Sequence, residues 1–328
     1  MFATTSILFL DDLFGKRASR VPMKRFVHPK APLKDRISIS FSGGKTSAYM
    51  TKMLLDHFRK HEPWREVIVV FMNTGQEHEE TLKFVDRCDR KFGFNVVWLE
   101  AVIDSRQGIG PRYKIVDFEK ASRDGAPYEA YIAKHGLPNQ KYKQCNSRLK
   151  TEPMEAFRRH QLKWKKGTYS VAVGIRSDET DRISLKSMRD EGVFYPCIDA
   201  RITKADVREW WAAQDFNLNI PEHWGNCVWC WKKSNRKLLT IAKNNPEFFD
   251  FPARMEMDYA FSGGDRKDGE AREERKMFRG NRTVRDLMDL AKQPFDEFSD
   301  EHFVPFDDEL DVGGACGDSC EIYADLSE

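Results

Sequence analysis

The sequence predicts an α/β protein built on a doubly wound, mostly parallel sheet, followed by a Cys-containing C-terminal extension. Three observations support this. A short alternating strand at 37–41 runs into a Gly-Gly loop and then into a helical pattern. Apolar strands and amphipathic helices alternate from there to about residue 217, as crossover connections between parallel strands require. From about residue 218 the pattern breaks into paired cysteines, aromatic residues and mixed charge.

Taken in order, Ile37-Ser38-Ile39-Ser40-Phe41 alternates as a strand does. Met50, Met53, Leu54 and Phe58 recur at helical spacing. Glu66 to Met72 is a nearly continuous apolar, β-branched run, the pattern of a strand covered on both faces. The stretch from Thr74 to Phe92 reads as a helix with Val85, Cys88 and Phe92 on one face, so Cys88 belongs to the core. Asn95 to Glu100 and Tyr169 to Ile175 read as the third and fourth strands. Thr203-Lys-Ala-Asp206 is a capping box opening a helix that buries Val207, Trp210 and Trp211. The expected units are a basic N-terminal arm at 1–35, a nucleotide-binding α/β domain at 36–217, and a C-terminal region with an acidic tail at 218–328.

The loop Ser42-Gly43-Gly44-Lys45-Thr46-Ser47 has the chemistry of an anion cradle. Two glycines allow backbone angles closed to other residues, so that main-chain N–H groups converge on one anion. The helix N-terminus adds partial positive charge. Ser42, Thr46 and Ser47 offer hydroxyls, and Lys45 offers a cation. It is not a nucleoside-triphosphatase P-loop, because Ile39 stands where that motif needs its first glycine. A Gly-rich turn with a hydroxyl cap is the plainer alternative.

The loop resembles the SGGxxS element of the PP-loop ATP pyrophosphatases and their relatives, the phosphoadenosine phosphosulfate reductase family. Further segments resemble that family in order: Phe71-Met-Asn73-Thr74-Gly75, Cys145-Asn-Ser-Arg-Leu-Lys150-Thr-Glu-Pro153, Gly174-Ile-Arg176-Ser-Asp178-Glu179, and Tyr195-Pro196 with Ile202-Thr203-Lys-Ala-Asp206. The resemblance covers roughly residues 36–240 and implies an adenine nucleotide alpha-hydrolase-like, Rossmann-like fold. It also implies an adenine nucleotide, ATP or phosphoadenosine phosphosulfate, with Mg2+. The implied nucleotide-binding residues are Ser40, Ser42, Gly43, Gly44, Lys45, Thr46, Ser47, Asn73, Thr74, Gly75, Gly174 and Arg176, with Lys45 and Arg176 stabilising phosphate charge. One departure stands out. Pyrophosphatases commonly carry Asp where this chain has Thr46, which keeps a donor and loses a charge.

Seven cysteines is an odd number, and the chain shows no secretion signal, so a disulfide framework is not expected. Cys227-Val-Trp-Cys230 is a CxxC and Cys316-Gly-Asp-Ser-Cys320 a CxxxC, spacings suited to one Zn2+ or to a [4Fe-4S] cluster. Cluster-bearing relatives join a Cys near the Leu-Lys-x-x-Pro element to a downstream CxxC. This resemblance implies Cys145, Cys227 and Cys230 as ligands, with Cys320, Cys316 or Cys197 as the fourth. A zinc site made of Cys227, Cys230, Cys316 and Cys320 is the alternative, and a pair of buried free thiols is the plainest reading of the CxxC. The family's reductases use a C-terminal Cys beside Gly as nucleophile, and Cys316-Gly317 is similar to it. Its acidic neighbours Asp311, Asp318 and Glu321 would raise that thiol's pKa.

The net charge of +2 is unevenly spread. Residues 16–36 carry eight Lys/Arg against Asp35 alone, and residues 296–328 carry twelve Asp/Glu and no Lys/Arg. These are either solvated tails or, at the basic end, an arm for nucleic-acid phosphates. No apolar run reaches the length of a membrane span, and the short Ile7–Leu10 stretch is a poor signal peptide. A cytoplasmic location and no membrane partner are expected. Three functions fit. One is ATP activation coupled to sulfur transfer, as in nucleic-acid thiolation, with a sulfur-donor protein. Another is reductive cleavage of a sulfonucleotide with thioredoxin, through Cys316 or Cys320. The third is a non-catalytic nucleotide-binding regulator.

Overall fold

A computed structural model describes residues 21–262, 273–300, 302 and 304–311. Its centre is a six-stranded sheet: β1 Arg36–Ser40, β2 Glu66–Asn73, β3 Val96–Val102, β4 Arg112–Val116, β5 Tyr169–Ala172 and β6 Val193–Phe194. The spatial order is β4-β3-β2-β1-β5-β6, and every neighbouring pair is parallel except β3 with β4. The doubly wound α/β expectation therefore holds, with one antiparallel edge strand added. Strand β4 escapes a sequence reading because its RYKIV run lies half-exposed and lacks an apolar pattern.

The helices are α1 Lys45–His61, α2 Glu79–Phe92, α3 Ala126–His135, α4 Glu152–His160, α5 Leu185–Glu191, α6 Pro196–Asp199 and α7 Lys204–Ala212, followed by α8 Asn235–Asn244, α9 Asp250–Tyr259, α10 Val284–Leu290 and α11 Asp308–Asp311. Strand β1 shows how the two faces are filled. Ile37 and Ile39 point into a core shared with α1, α2 and α7. Ser38 points the other way and accepts a hydrogen bond from the buried Arg158 of α4, 3.1 Å. On that second face Val70, Met72, Leu99 and Val171 pack with Met154 and Phe157 of α4. A third core joins α3 to α8, α9 and α10 and contains Cys145, Cys227 and Cys230.

Element ends differ from expectation in instructive ways. Thr74 to Glu77 is not helical; it forms a turn before α2, whose N-cap is His78 accepting from Glu80 N. The expected capping box is present, with Thr203 N donating to Asp206 Oδ2 at 2.8 Å and Asp206 N to Thr203 Oγ1 at 3.3 Å. Before α4 the chain makes a π-helical turn at Ser147–Thr151, immediately after Cys145.

The described part of the basic arm is packed. Lys24 N donates to Tyr49 Oη, and Lys24 Nζ bonds Arg201 O and Asp206. Phe26 is buried against α1. Lys34 N donates to Ser170 Oγ, and Lys34 O accepts from Arg65. Among the described residues no helix is long and apolar enough to cross a membrane.

Candidate functional site

Strand order reverses between β1 and β5, since β2 and β3 lie on one side of β1 while β5 and β6 lie on the other. In open α/β sheets ligands gather in the crevice beyond the strand C-termini at such a point. The loop after β1 and the Gly174–Glu179 loop after β5 flank it.

Gly43 has φ +82°, and a Cβ there would stand 2.8 Å from Thr81 Cγ2 and 3.2 Å from Phe71. Only glycine fits, for backbone and space together. Gly44, by contrast, is extended (φ −91°, ψ 163°) and caps α1 with no side-chain hydrogen bond. Gly44 thus supplies no side-chain cap to the N-terminus of α1, which points its partial positive charge toward the loop.

The hydroxyls divide their roles. Ser47 Oγ donates to Gly44 O (3.0 Å) and accepts from Ser42 N (3.2 Å) and Ser42 Oγ (2.9 Å). One donor and two lone pairs are then all engaged, so Ser47 braces the loop from inside. Thr46 Oγ1 instead accepts from Arg176 Nη1 at 3.2 Å. Ser40 lies fully buried under the loop, and its Oγ has no hydrogen-bond partner among the described residues. Lys45 O accepts the Trp211 indole N–H at 2.9 Å, which fastens α1 to α7.

Arg176 is buried and doubly countered, by Asp178 Oδ1 at 3.0 Å and Glu179 Oε2 at 3.4 Å. Burial would raise the Asp178 pKa, but the Arg176 charge and the Lys204 N–H outweigh it and hold the carboxyl below its usual value. Gly174 comes so close to α1 that a Cβ would lie 3.1 Å from Ser47 Cα. Gly44, Lys45, Thr46, Ser47 and Arg176 line one cleft of about 100 Å³ together with Lys204 and Arg208. That volume admits phosphate rather than a whole nucleotide.

The Asn73-Thr74-Gly75 turn leaves β2 at the same edge. Asn73 Nδ2 donates to Glu100 Oε1 (2.6 Å) and Ser122 O (2.8 Å), and its Oδ1 accepts from Gly75 N. Buried Glu77 accepts from Thr74 N and Thr74 Oγ1, and Lys150 Nζ approaches Glu77 at 3.8 Å. These three residues are thus committed to shaping the turn.

One of the three cysteines, Cys227, adjoins that turn. Cys227 Sγ lies 3.6 Å from Thr74 Oγ1, and Glu77 forms a β-bridge with Cys227. Cys230 N donates to Cys227 O, and Lys233 Nζ donates to the carbonyls of Gly225, Cys227 and Val228 at 2.7–2.9 Å, clamping the CxxC turn. Burial, and next the Cys145, Cys227 and Cys230 thiols, push the Tyr128 hydroxyl well above its usual pKa. Burial likewise raises the Cys227 thiol. Thiols are suited to a soft metal or cluster in donor chemistry, and all three lie near Tyr128 in one core, but they are not among the described side chains whose donor atoms gather within 4.8 Å of one another. Cys197 lies in the α1–α7 core beside Tyr49, in a different core from the trio. Cys88 is a core residue as expected. Cys316 and Cys320 lie outside the described residues.

Sequence reasoning did not find Glu77, Lys204 and Arg208 as site residues, although Glu77 and Lys204 fall inside segments it singled out. Nor did it find His28, His57 and Glu62. Among the described residues, these three form the set of metal-ligating side chains whose donor atoms all lie within 4.8 Å of one another.

Residues 36–302 match the family model of the phosphoadenosine phosphosulfate reductase domain. The chain is 28% identical to the uncharacterized nin region protein ORF290 of Escherichia phage lambda, over 87% of this chain and 94% of that protein. It is 26% identical to the uncharacterized protein MJ0973 of Methanocaldococcus jannaschii, over 65% of this chain and 46% of that longer protein.

Proposed function

We propose that this chain, which belongs to the phosphoadenosine phosphosulfate reductase domain family, binds ATP over the Ser42–Ser47 loop and couples its cleavage to sulfur transfer. The observation that supports this most strongly is the cleft at the strand-order reversal, where a glycine-shaped loop, the N-terminus of α1, Lys45, Lys204 and Arg208 face one small space, with Glu222 between Lys204 and Arg208. The phosphates occupy that space and the nucleoside lies along the open sheet edge. Lys45 neutralises phosphate oxygens, and Arg176 sets Thr46 from behind.

In the chemical step a substrate oxygen attacks the α-phosphorus. The bond to the bridging oxygen breaks and pyrophosphate leaves with the electron pair, giving an adenylate. A sulfide-level donor then attacks the activated carbon; a C–S bond forms, the C–O bond breaks and AMP leaves, with no net oxidation. The fixed cations stabilise the charge that accumulates on the leaving pyrophosphate. Mg2+ would share that task. A metal or cluster held by Cys145, Cys227 and Cys230 would supply a binding place for sulfur. The contact between Cys227 and Thr74 supports this pairing of thiols with the nucleotide edge.

The test is product analysis on the full chain. With Mg-ATP, a sulfide donor and a nucleic-acid acceptor, pyrophosphate and AMP are expected together. Sulfite released from phosphoadenosine phosphosulfate, without pyrophosphate from ATP, would replace this function with sulfonucleotide reduction. Binding of ATP with neither product would leave a nucleotide-binding regulator.

A further inference from the structure

Far from the cleft, the end of α1 meets the packed segment that precedes β1. His28 Nε2 and His57 Nε2 both point at the same oxygen, Glu62 Oε1, at 2.7 and 2.8 Å. The other carboxylate oxygen, Oε2, is held by Arg65. His57 comes from the last turns of α1 and Glu62 is its C-cap, while His28 comes from the preceding segment. The Phe26 ring packs against both imidazoles, with centroids at 4.9 Å from His28 and 4.8 Å from His57, and the imidazoles themselves stand 5.3 Å apart. Glu62 is buried, whereas the His28 side chain is 51% exposed, so an ion has a route in from solvent. The three donors open on a surface groove of about 650 Å³. His61 follows His57 at i+4, with ring centroids 5.1 Å apart.

We propose that His28, His57 and Glu62 form a binding site for one divalent first-row transition-metal ion, with Zn2+ as its prototype, which ties the segment around residues 23–34 to the end of α1. Two imidazoles and one carboxylate are a frequent zinc donor set, leaving a fourth position for water or His61. Donors around a tetrahedral zinc with bonds of about 2.0–2.1 Å stand about 3.3–3.4 Å apart. The observed 2.7–2.8 Å contacts therefore spread by about 0.6 Å on binding, as the ion replaces the shared protons. Arg65 keeps the carboxylate oriented from its other oxygen, and Phe26 keeps the rings in place, the supporting role that surrounding groups play at metal sites.

The experiment is a Co2+ and Zn2+ titration of the chelator-treated full chain, followed by absorbance and calorimetry. Thiolate ligands give an intense sulfur-to-cobalt charge-transfer band, and imidazole with carboxylate does not. One equivalent of cobalt is expected to show d–d bands without that charge transfer. In His28→Gln, an exposed position where the fold tolerates change, and in His57→Gln, affinity for this equivalent falls at least about ten-fold. Cys227→Ser keeps it, which distinguishes this site from the cysteines. Zinc also raises the Tm of the parent and of Cys227→Ser by more than that of His28→Gln. Equal stoichiometry and affinity in the parent and both histidine variants would overturn the proposal, as would a parent that binds metal through thiolates alone.

Discussion

At the scale of single residues, the loop separates side chains that build it from groups left to meet a ligand. Ser47 spends its hydroxyl on Gly44 and Ser42, Asn73 spends its amide on Glu100 and Ser122, and Gly43 exists because nothing larger fits. Gly43→Ala is therefore expected to destabilise the fold by about 1–3 kcal/mol through the left-handed backbone and the clash with Thr81; urea denaturation measures it. A second residue gives a pH signature. Glu256 accepts from Val284 N (2.8 Å) and Met277 N (3.4 Å), and burial raises its carboxyl to about 7. A carboxyl raised in the folded state contributes most below its unfolded value of 4.5 and loses that contribution as pH rises through about 7. Stability should thus fall by about 1–3 kcal/mol between pH 5 and pH 8 on this account. Glu256→Gln should flatten that part of the profile, and an unchanged profile would remove Glu256 as its source. The glycine-rich turn and its hydroxyls were legible because the motif is local in sequence. Which hydroxyl braces and which faces out was not, because the partners are set by how the chain returns.

At the scale of elements, the buried parallel strands were legible because continuous apolar runs have few other uses, and the Thr203 cap because its signature is four residues long. The edge strand β4, the turn at Thr74–Glu77 and the packed segment 21–35 were not. Each is polar or irregular in sequence and is fixed by distant partners: β3 for the first, Glu77 and Glu100 for the second, and Tyr49, Asp206 and Ser170 for the third. The Cys145 element and the CxxC turn belong to one core although 82 residues separate Cys145 from Cys227 (227 − 145). Cys145→Ala is expected to lose bound metal and sulfur-transfer activity together, while Cys88→Ala loses neither. Elemental analysis of anaerobically purified protein checks this, and a full metal complement in Cys145→Ala would assign the metal to other ligands. Trp211 pins α7 to α1 by its indole N–H and is almost fully buried. Trp211→Ala should cost about 3–5 kcal/mol, read from the thermal midpoint.

At the scale of the whole molecule, the reversal of strand order after β1 makes the C-terminal edge of the sheet the candidate site, and the Ser42–Ser47 loop, the Arg176 loop and the Asn73 turn all arrive there. The uneven charge finds partial expression within the fold, since Lys24 is paired with Asp206 and Arg236 with Asp311. A nucleic-acid role for the basic end would draw on the exposed Arg25, Lys30 and Lys34 and on Lys16, Arg17 and Arg20, which lie outside the described residues. Deleting residues 1–20 should weaken RNA binding and make its salt dependence shallower by about 2 in the log–log slope; identical binding across a salt series would dismiss Lys16, Arg17 and Arg20 as contacts. The central claim is that the loop at this edge receives the phosphates of an adenine nucleotide, and calorimetric titration of ATP into parent and Gly44→Val tests it most directly. Gly44 has extended backbone angles that valine adopts readily, so the variant keeps the parent's circular dichroism while its side chain fills the phosphate cleft. The account predicts saturable ATP binding by the parent and none by the folded variant; equal affinity in the two would contradict it.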